Sequence, residues 1–445
     1  MAGWDIISEL PESLLTHVLS YLPTKDSVKT SLLSKRWESV WRRVPGLDLK
    51  YNDFPEEFPP HEQSLESFVN KFLESNKESR MQTFKIQFEY EQCDDDQLVV
   101  WIDKAVDRGV QHLYVETEKA PNITQSIYTS STLVSLTLLS VGLESPKNVV
   151  SLPCLKMMHI EDVWYDYDDP LIMERIISGC PALEDLSVIR PVDCYNADVV
   201  KFLRVRSQTL KRFRLMFENC WGGTEFSVEI DAPSLEYMSF RDDQSDVIVV
   251  KNLTSLYMID IDSEFNVKFG GSPLEQEDSS KKDTIHNFFE GISGVRDMII
   301  SRPTLEVLYQ YSKMGSIPKF VNLYRLYHAF SCSTLQLLPI FLESCPNLKH
   351  LILDYTVVSL QPEEIELSYV PRCLTSSLER VNINKLIMKE ESGIKLVNYF
   401  LENSAVLKEL TVSYTDSPVS NQERDIYKNL LTSNKLSRRC QVSIC

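Results

Sequence analysis

The residue types that hold metals, cradle phosphates or attack carbonyls all occur in this chain, but not at the spacing those reactions need. Asp94-Asp95-Asp96 and Asp166-Tyr167-Asp168-Asp169 concentrate carboxylates, yet neither run has the glycine and closing glutamate of a calcium loop. Gly222-Gly223 and Gly270-Gly271 are isolated pairs, suited to turns rather than to a loop that wraps a phosphate. The ten cysteines include no Cys-x-x-Cys pair, and the seven histidines no His-Glu-x-x-His. A Gly-x-Ser-x-Gly elbow is also missing. The expectation is a non-enzyme with no metal and no cofactor. What remains is recognition chemistry. Lys201, Arg204, Arg206, Lys211, Arg212 and Arg214 gather cations in a chain of net charge −18. Such a run attracts an acidic or phosphorylated segment or an anionic cofactor, and it is also what a solvated charged face looks like.

A recognition surface needs a scaffold, and 445 residues with 43% hydrophobic content supply two or three domains or one long array. The pI near 5.0 disfavours nucleic acid, which calls for a basic footprint. There is no run of eighteen apolar residues, so no membrane span is expected. Met1-Ala2-Gly3-Trp4-Asp5 lacks a basic start followed by an apolar core, and the cysteines read as reduced thiols. Cytoplasm, nucleus or both is the expected location.

The scaffold is legible as a repeat. An apolar residue, two others, an apolar, one other and an apolar recur thirteen times. The series runs Met81-Phe84-Ile86, Val110-Leu113-Val115, Leu133-Leu136-Leu138, Leu155-Met158-Ile160, Leu183-Leu186-Val188, Leu210-Phe213-Leu215 and Leu235-Met238-Phe240. It goes on through Leu253-Leu256-Met258, Val295-Met298-Ile300, Leu323-Leu326 with His328 breaking the third place, Leu348-Leu351-Leu353, Leu378-Val381-Ile383 and Leu407-Leu410-Val412. Units start 22 to 30 residues apart except for one step of 18 and one of 42. The long step marks a polar, turn-rich insertion at about 263–284, expected to be mobile and to be cut first by trypsin near Lys281 or Lys282. Helical segments precede several strands: Leu65 to Glu74, Leu98 to Val106, Leu171 to Ile177, Val199 to Leu203, Leu335 to Leu342 and Ile394 to Leu401. Leu305 to Leu308 reads as part of a connecting helix after Pro303. Two joins look alike, Ser178-Gly179-Cys180-Pro181-Ala182-Leu183 and Glu343-Ser344-Cys345-Pro346-Asn347-Leu348.

Helix, turn and short strand in series give an α/β solenoid, with parallel strands on the concave face and helices on the convex face. Each unit is too small to bury its own apolar side, so neighbours must stack. Alternation along each strand turns the intervening residues outward. That places His112, Tyr114, His159, Arg212, Arg214, Tyr237, Tyr257, Arg325, Tyr327 and His350 on the exposed face. Tyr and Arg carry much of the binding energy at protein interfaces, so these are the candidate target-binding residues.

Ahead of the repeats lies a different pattern. Pro11 suits the first turn of a helix, and Leu14, Leu15, Val18, Leu19 and Leu22 then cover an arc of roughly 160° at about 100° per residue. Pro23 stops that helix, Thr24 is placed to cap a second through Val28 to Leu32 or Leu33, and Ser34 a third over Lys35 to Trp41. Three helices in about forty residues bury too little surface to stand alone. A linker of prolines and acids, 51–63, follows.

These opening residues resemble the F-box, closely in its plant form. The matching run is Leu10-Pro11, Leu14-Leu15, Val18-Leu19-Ser20-Tyr21-Leu22-Pro23-Thr24-Lys25-Asp26, Ser31-Leu32-Leu33-Ser34-Lys35-Arg36-Trp37 and Trp41, continuing into Val44-Pro45-Gly46-Leu47-Asp48-Leu49. Members commonly carry Asp-Arg-Ile before Leu-Pro, where this chain has Asp5-Ile6-Ile7, and Glu12 replaces a more usual Asp. Cys373-Leu374, Ser377 to Val381, Lys395 to Asn403 and Leu407 to Val412 resemble the FBD region of plant F-box proteins. The resemblance implies an F-box over 1–50, leucine-rich repeats over 64–366, and an FBD segment with terminal repeats over 367–445. It implies docking on a Skp-type adaptor, and through it a cullin-RING ubiquitin ligase, by Leu10, Pro11, Leu14, Leu15, Val18, Val28, Leu33 and Trp37. The repeats would then hold an unknown protein substrate. The alternative is a repeat scaffold or ligand sensor whose opening helices only cap the array. The tail after Asn421 is expected to form a closing helix or to fray.

Overall fold

Period-two alternation, repeated in phase, dictates what the strands do. In the computed structural model the main strands within each unit run parallel, and their buried positions lie beside one another. A one-residue slip would turn an entire apolar row to solvent. The structure describes residues 7, 9–50, 53, 62–75, 80–87, 95–118, 121–165, 169–190, 202–217, 226–267, 279–331, 335–356, 367, 369–386, 391–414 and 435–444. The expected linker (apart from Asp53, Glu62 and Gln63), both glycine pairs, Lys201 and most of the two acidic runs lie outside them. The chain forms two units, Met1–Leu210 and Lys211–Cys445.

The first unit opens with α1 (Glu12–Leu19) and α2 (Thr24–Lys29), then β1 (Gly46–Leu49) and α3 (Glu62–Ser75). There follow β2 (Thr83–Gln87), α4 (Asp95–Asp107), β3 (His112–Glu116), β4 (Ser135–Leu139), β5 (Gly142–Leu143), β6 (Met157–Glu161) and β7 (Trp164–Tyr165). The unit ends with α5 (Ile172–Ser178), β8 (Asp185–Arg190) and β9 (Phe202–Arg206). Strands β1, β2, β3, β4, β6 and β8 pair in that order, aligning Leu47, Phe84, Leu113, Leu136, Met158 and Leu186 in one buried row.

The second unit contains β10 (Arg212–Phe217), β11 (Phe226–Asp231), β12 (Tyr237–Asp242), β13 (Ser245–Lys251), β14 (Met258–Ile261), α6 (Ser279–Gly291) and β15 (Asp297–Ile300). Next come α7 (Arg302–Ser312), β16 (Arg325–Ser331), α8 (Leu337–Glu343), β17 (His350–Thr356) and α9 (Arg372–Ser376). It closes with β18 (Arg380–Leu386), α10 (Glu391–Asn403), β19 (Glu409–Tyr414) and β20 (Gln441–Ile444). Strands β10, β12 and β14 to β20 pair in parallel in that order, while β11 pairs with β13 behind them.

The two look-alike joins are one device used twice. After α5 and again after α8, the cysteine thiol donates back into its helix, Cys180 to the Ile176 carbonyl and Cys345 to the Phe341 carbonyl. The residue before each cysteine accepts a backbone bond across the stack, Leu152 N–H to Gly179 and Phe320 N–H to Ser344, both 2.8 Å. Helix end and strand start are thereby fixed to the neighbouring repeat.

Several expectations are corrected. Residues 35–39 form turns and Val40–Arg43 a 3-10 turn, not a third α-helix. Trp37, Val40 and Val44 all point inward, and three- to four-residue spacing tightened by i to i−3 bonds satisfies them. Thr24 does not cap α2, whose cap position is Pro23; its hydroxyl accepts from the Asp48 N–H at 2.8 Å instead, tying α2 to β1. The eighth repeat is Leu256-Ile259-Ile261, three residues later than the sequence pattern suggests, because Ile259 and Ile261 align with Met238 and Phe240. Residues 202–206 are a strand, not the end of a helix, and the layer behind the main strands includes β11 and β13 as well as helices. The insertion is built structure at both ends: Phe265 is buried against Phe288 and Phe289 of α6, and Lys281 lies in that helix. The tail ends in β20, paired on β19, and the stack begins with β1, inside the stretch assigned to 1–50.

Candidate functional site: an apolar helical face and an outward strand face

Two helices of eight and six residues cannot shield both their sides, and the opening module shows this directly. Leu15, Leu19, Trp37, Val40 and Val44 form its core, with Leu10 and Trp41 packed against it. Trp41 also stacks on Phe68 and Phe72 of α3, at centroid distances of 6.0 and 6.5 Å. The Arg36 guanidinium donates to the Leu10 carbonyl, and Arg43 pairs with Glu12 at 2.5 Å. The inner side is therefore occupied by the chain itself.

The other side is bare. Among the described residues nineteen large apolar side chains are exposed, and seven of them, Ile7, Leu14, Val18, Tyr21, Leu22, Leu32 and Leu33, fall within the first 33 residues. Leu14 and Val18 lie four residues apart on one face of α1, and Leu22 follows in the turn after it. Leu33 is 70% exposed and Leu32 87%. Of the eight candidate docking residues, Leu14, Val18, Leu33 and Pro11 lie at the surface, Leu10 and Val28 are half-buried, and Leu15 and Trp37 are inside the core. Leu15 and Trp37 hold the face in shape and do not form part of it. Tyr21 and Leu32 belong to the exposed set; the doublet Leu32-Leu33 was the signal for the second.

The strand face of the first unit carries His112, Tyr114 and His159. Tyr114 O–H donates to Glu116 Oε2 at 2.6 Å, Gln87 Nε2 donates to the Tyr114 hydroxyl at 3.2 Å, and Lys85 lies 5.0 Å from its ring. Burial and the Glu116 carboxylate push the Tyr114 phenol up to about 12, so it stays a hydrogen-bond donor. His112 Nδ1 lies 2.8 Å from the Ser135 hydroxyl, and His159 Nε2 3.0 Å from Glu161 Oε2.

In the second unit Arg212, Tyr237, Arg325 and His350 share one outward row, and Arg214 and Tyr327 the next. Tyr327 bonds to Asp354, and burial together with that carboxylate pushes its phenol to about 12. Burial pushes the Asp354 carboxyl up, but Lys385 at 2.7 Å, Tyr327 and Asn384 at 2.9 Å hold it below its ordinary value. Tyr257 lies one residue ahead of β14, beside Glu236 and not Tyr237, because of the shift in the eighth repeat. At that leading position it meets a second set of outward side chains. Arg296 sits 5.6 Å from the Tyr257 ring and 4.9 Å from the Tyr324 ring; Lys349 sits 5.7 Å from Tyr324, which stacks on His350 at 5.0 Å. Their signal was present: in Val295-Arg296-Asp297-Met298, Leu323-Tyr324-Arg325-Leu326 and Leu348-Lys349-His350-Leu351, both middle residues face out.

The basic run divides. Arg204 and Arg206 lie on β9 and pair with Glu174 at 2.9 and 3.4 Å, whereas Arg212 and Arg214 lie on β10. Among the described residues no three His, Cys, Asp or Glu side chains converge to hold a metal ion. Cys180, Cys345 and Cys373 are buried, and burial pushes each thiol upward, so they act as small apolar residues. No helix of the described residues is long and apolar enough to cross a membrane.

Comparison with known proteins finds matches to three family models. An F-box domain model matches residues 7–48 and an FBD model residues 365–412. A model described as FBD-associated F-box protein At5g56370, LRR repeats, matches residues 98–261. F-box/FBD/LRR-repeat protein At2g26030 of Arabidopsis thaliana is 61% identical over 445 residues, covering 99% of each chain. Putative F-box/FBD/LRR-repeat protein At5g44950 of the same plant is 57% identical over 99% of this chain and 100% of its own. F-box/FBD/LRR-repeat protein At5g44980 is 49% identical over 98% of each.

Proposed function

The chain belongs to the plant F-box/FBD/LRR-repeat family, and from that premise we propose that it is the substrate-recognition subunit of a Skp-cullin-F-box ubiquitin ligase. The observation that carries the reading is the bare apolar face of Leu14, Val18, Leu22, Leu32 and Leu33 on a module whose opposite side is packed on its own repeats. Such a face, in so small a module, is what a partner helix covers. Leu14, Val18 and Leu33 contact the adaptor, with Pro11, Leu10 and Val28 at the margin. Leu15 and Trp37 keep the face rigid from behind.

The chain is a non-catalytic receptor: it supplies proximity, and the bond-making belongs to other subunits. A target held on the strand face has its lysines at high local concentration near a charged conjugating enzyme. The outward rows carrying His112, Tyr114 and His159 in one unit, and Arg212, Arg214, Tyr237, Arg325, Tyr327 and His350 in the other, are the proposed target-binding surface. Tyr257 extends it at the leading edge.

Co-expression with a Skp-type adaptor tests the reading. The wild-type chain is expected to co-purify with the adaptor, and a Leu14→Asp/Leu33→Asp variant to lose it while keeping the wild-type melting temperature. Full recovery of the adaptor by a folded double variant would overturn the assignment and favour a repeat scaffold or ligand sensor.

A further inference from the structure

Resting on the reading of the strand face as the target-binding surface, we propose that the leading edge of the second unit's strands binds an acidic segment of the target. Arg296 and Arg325 are both exposed, in a chain whose net charge is −18. Neither forms an ion pair or a hydrogen bond through its side chain among the described residues. The Arg296 guanidinium lies between the rings of Tyr257 and Tyr324, 5.6 and 4.9 Å from their centroids. A guanidinium held over ring faces without an ion pair keeps its N–H groups available, and a planar fork of such donors grips a carboxylate or phosphate through two parallel bonds. Arg325 follows one strand later, between Asp297 and His350 in register, and Lys349 flanks Tyr324.

The neighbouring charges are largely spoken for. Glu379 takes Lys408 at 2.8 Å and Lys349 at 3.9 Å, and Glu409 takes Arg380 at 3.6 Å. Asp297 is half-buried in the same row as Arg325, yet it lies beyond ion-pair distance of it. Two arginines framed by tyrosine and histidine rings are thus the uncompensated part of this edge. Toward the other end of the strands the sign reverses, with Asp243, Asp260, Asp262 and Glu264 gathered around β12 and β14. Burial, then the neighbouring carboxylates, hold the acids of Asp243, Asp260 and Glu264 above their ordinary values. An acidic segment is repelled there and drawn to the leading edge, so the charge pattern sets its position as well as its chemistry.

The test uses the full chain and three fluorescein-labelled Gly-Ser peptides, bearing four glutamates, four phosphoserines or four lysines. Fluorescence anisotropy is expected to show binding of an anionic peptide, weakened by salt, and none of the lysine peptide. An Arg296→Gln/Arg325→Gln variant should bind at least about tenfold more weakly, as loss of two charge-assisted contacts requires. Arg372→Gln, on α9 and away from the strand face, should bind like wild type. Binding of the glutamate peptide identifies carboxylate as sufficient; binding of the phosphoserine peptide alone identifies phosphate. Failure of both anionic peptides, or undiminished binding by the double variant, overturns the inference. Adaptor co-purification is measured on the same samples: a chain that keeps the adaptor but ignores anions sinks this inference alone, and one that binds anions without adaptor sinks only the ligase reading.

Discussion

Trp41 stacks on Phe72 with centroids 6.5 Å apart and planes within 20° of parallel, so the opening helices are bolted to the first helix of the repeats. The bolt has a second part, since β1 continues straight out of the module and pairs with β2. Trp41→Ala removes the stacking and leaves the strand pairing, at a cost of about 2 kcal/mol. The expected outcome in hydrogen exchange is faster exchange over residues 12–32 with unchanged protection in β3, β4 and β6. Uniform loss across the first unit would mean that the module and the repeats unfold as one.

Trp37 and Leu33, four residues apart, are predicted to fail in different ways. Trp37 is buried in the module's core, and Trp37→Ala should cost about 3–5 kcal/mol and unfold residues 12–44. Leu33→Asp adds a charge to an exposed position and should change stability by less than about 0.5 kcal/mol. Both variants lose the adaptor, but only the first loses its melting transition. Paired thermal melts and adaptor pull-downs separate the two.

That contrast also marks where sequence reasoning stops. The repeat was legible because one apolar spacing recurs, and α3, α4, α5, α7, α8 and α10 fall where the helical segments predict. An apolar pattern does not say which of two apolar faces is covered by the chain, so Leu15 and Leu14 looked equivalent until Trp37, Val40 and Val44 filled the space beside Leu15. The last strand escaped for a different reason. β20 pairs Val442 with Leu410 and Ile444 with Val412, but Arg439 stands where the pattern has an apolar residue. The eighth repeat was misphased because Leu253 and Leu256 fit the spacing as well as Leu256 and Ile259, and only pairing with β12 decides between them.

The same correction changes the expected digestion pattern. Lys281 lies within α6 and its Nζ is 2.9 Å from Asp246, while Phe288 of that helix packs against Phe240 and Phe265. Trypsin should therefore spare Lys281 until the second unit unfolds, which peptide mapping over a time course will show. Early cleavage there would mean the helix detaches in solution.

His328 occupies a core position between Ile300 and Leu353, and burial pushes its imidazole down to about 3. The unfolded chain takes up the proton near pH 6.5, so between roughly pH 6.5 and 3 it binds more protons at this site than the folded chain. The contribution is neutral above that window, and stability is lost as pH falls through it. His328→Leu restores the apolar row and removes that slope. Urea titrations at pH 7.5 and 5 should show a smaller loss on acidification for the variant than for wild type. An identical loss would place the acid sensitivity elsewhere.

Gly179 and Ser344 hold equivalent places in the two joins, yet they differ in what stands over them. A Cβ on Gly179 would come within 2.6 Å of the Val150 carbonyl oxygen and 2.5 Å of a Val150 methyl. The methyl can turn aside, but the carbonyl belongs to the backbone that leads to Leu152, whose N–H is held by Gly179 itself. Gly179→Ala must therefore push two repeats apart, and a cost of about 1–3 kcal/mol is expected, the range of overpacking in a built core. Ser344→Ala, where a Cβ already exists, should cost less than about 1 kcal/mol. Denaturant melts of the two variants compare the joins directly: equal effects would show that the approach of Val150 is not what requires the glycine.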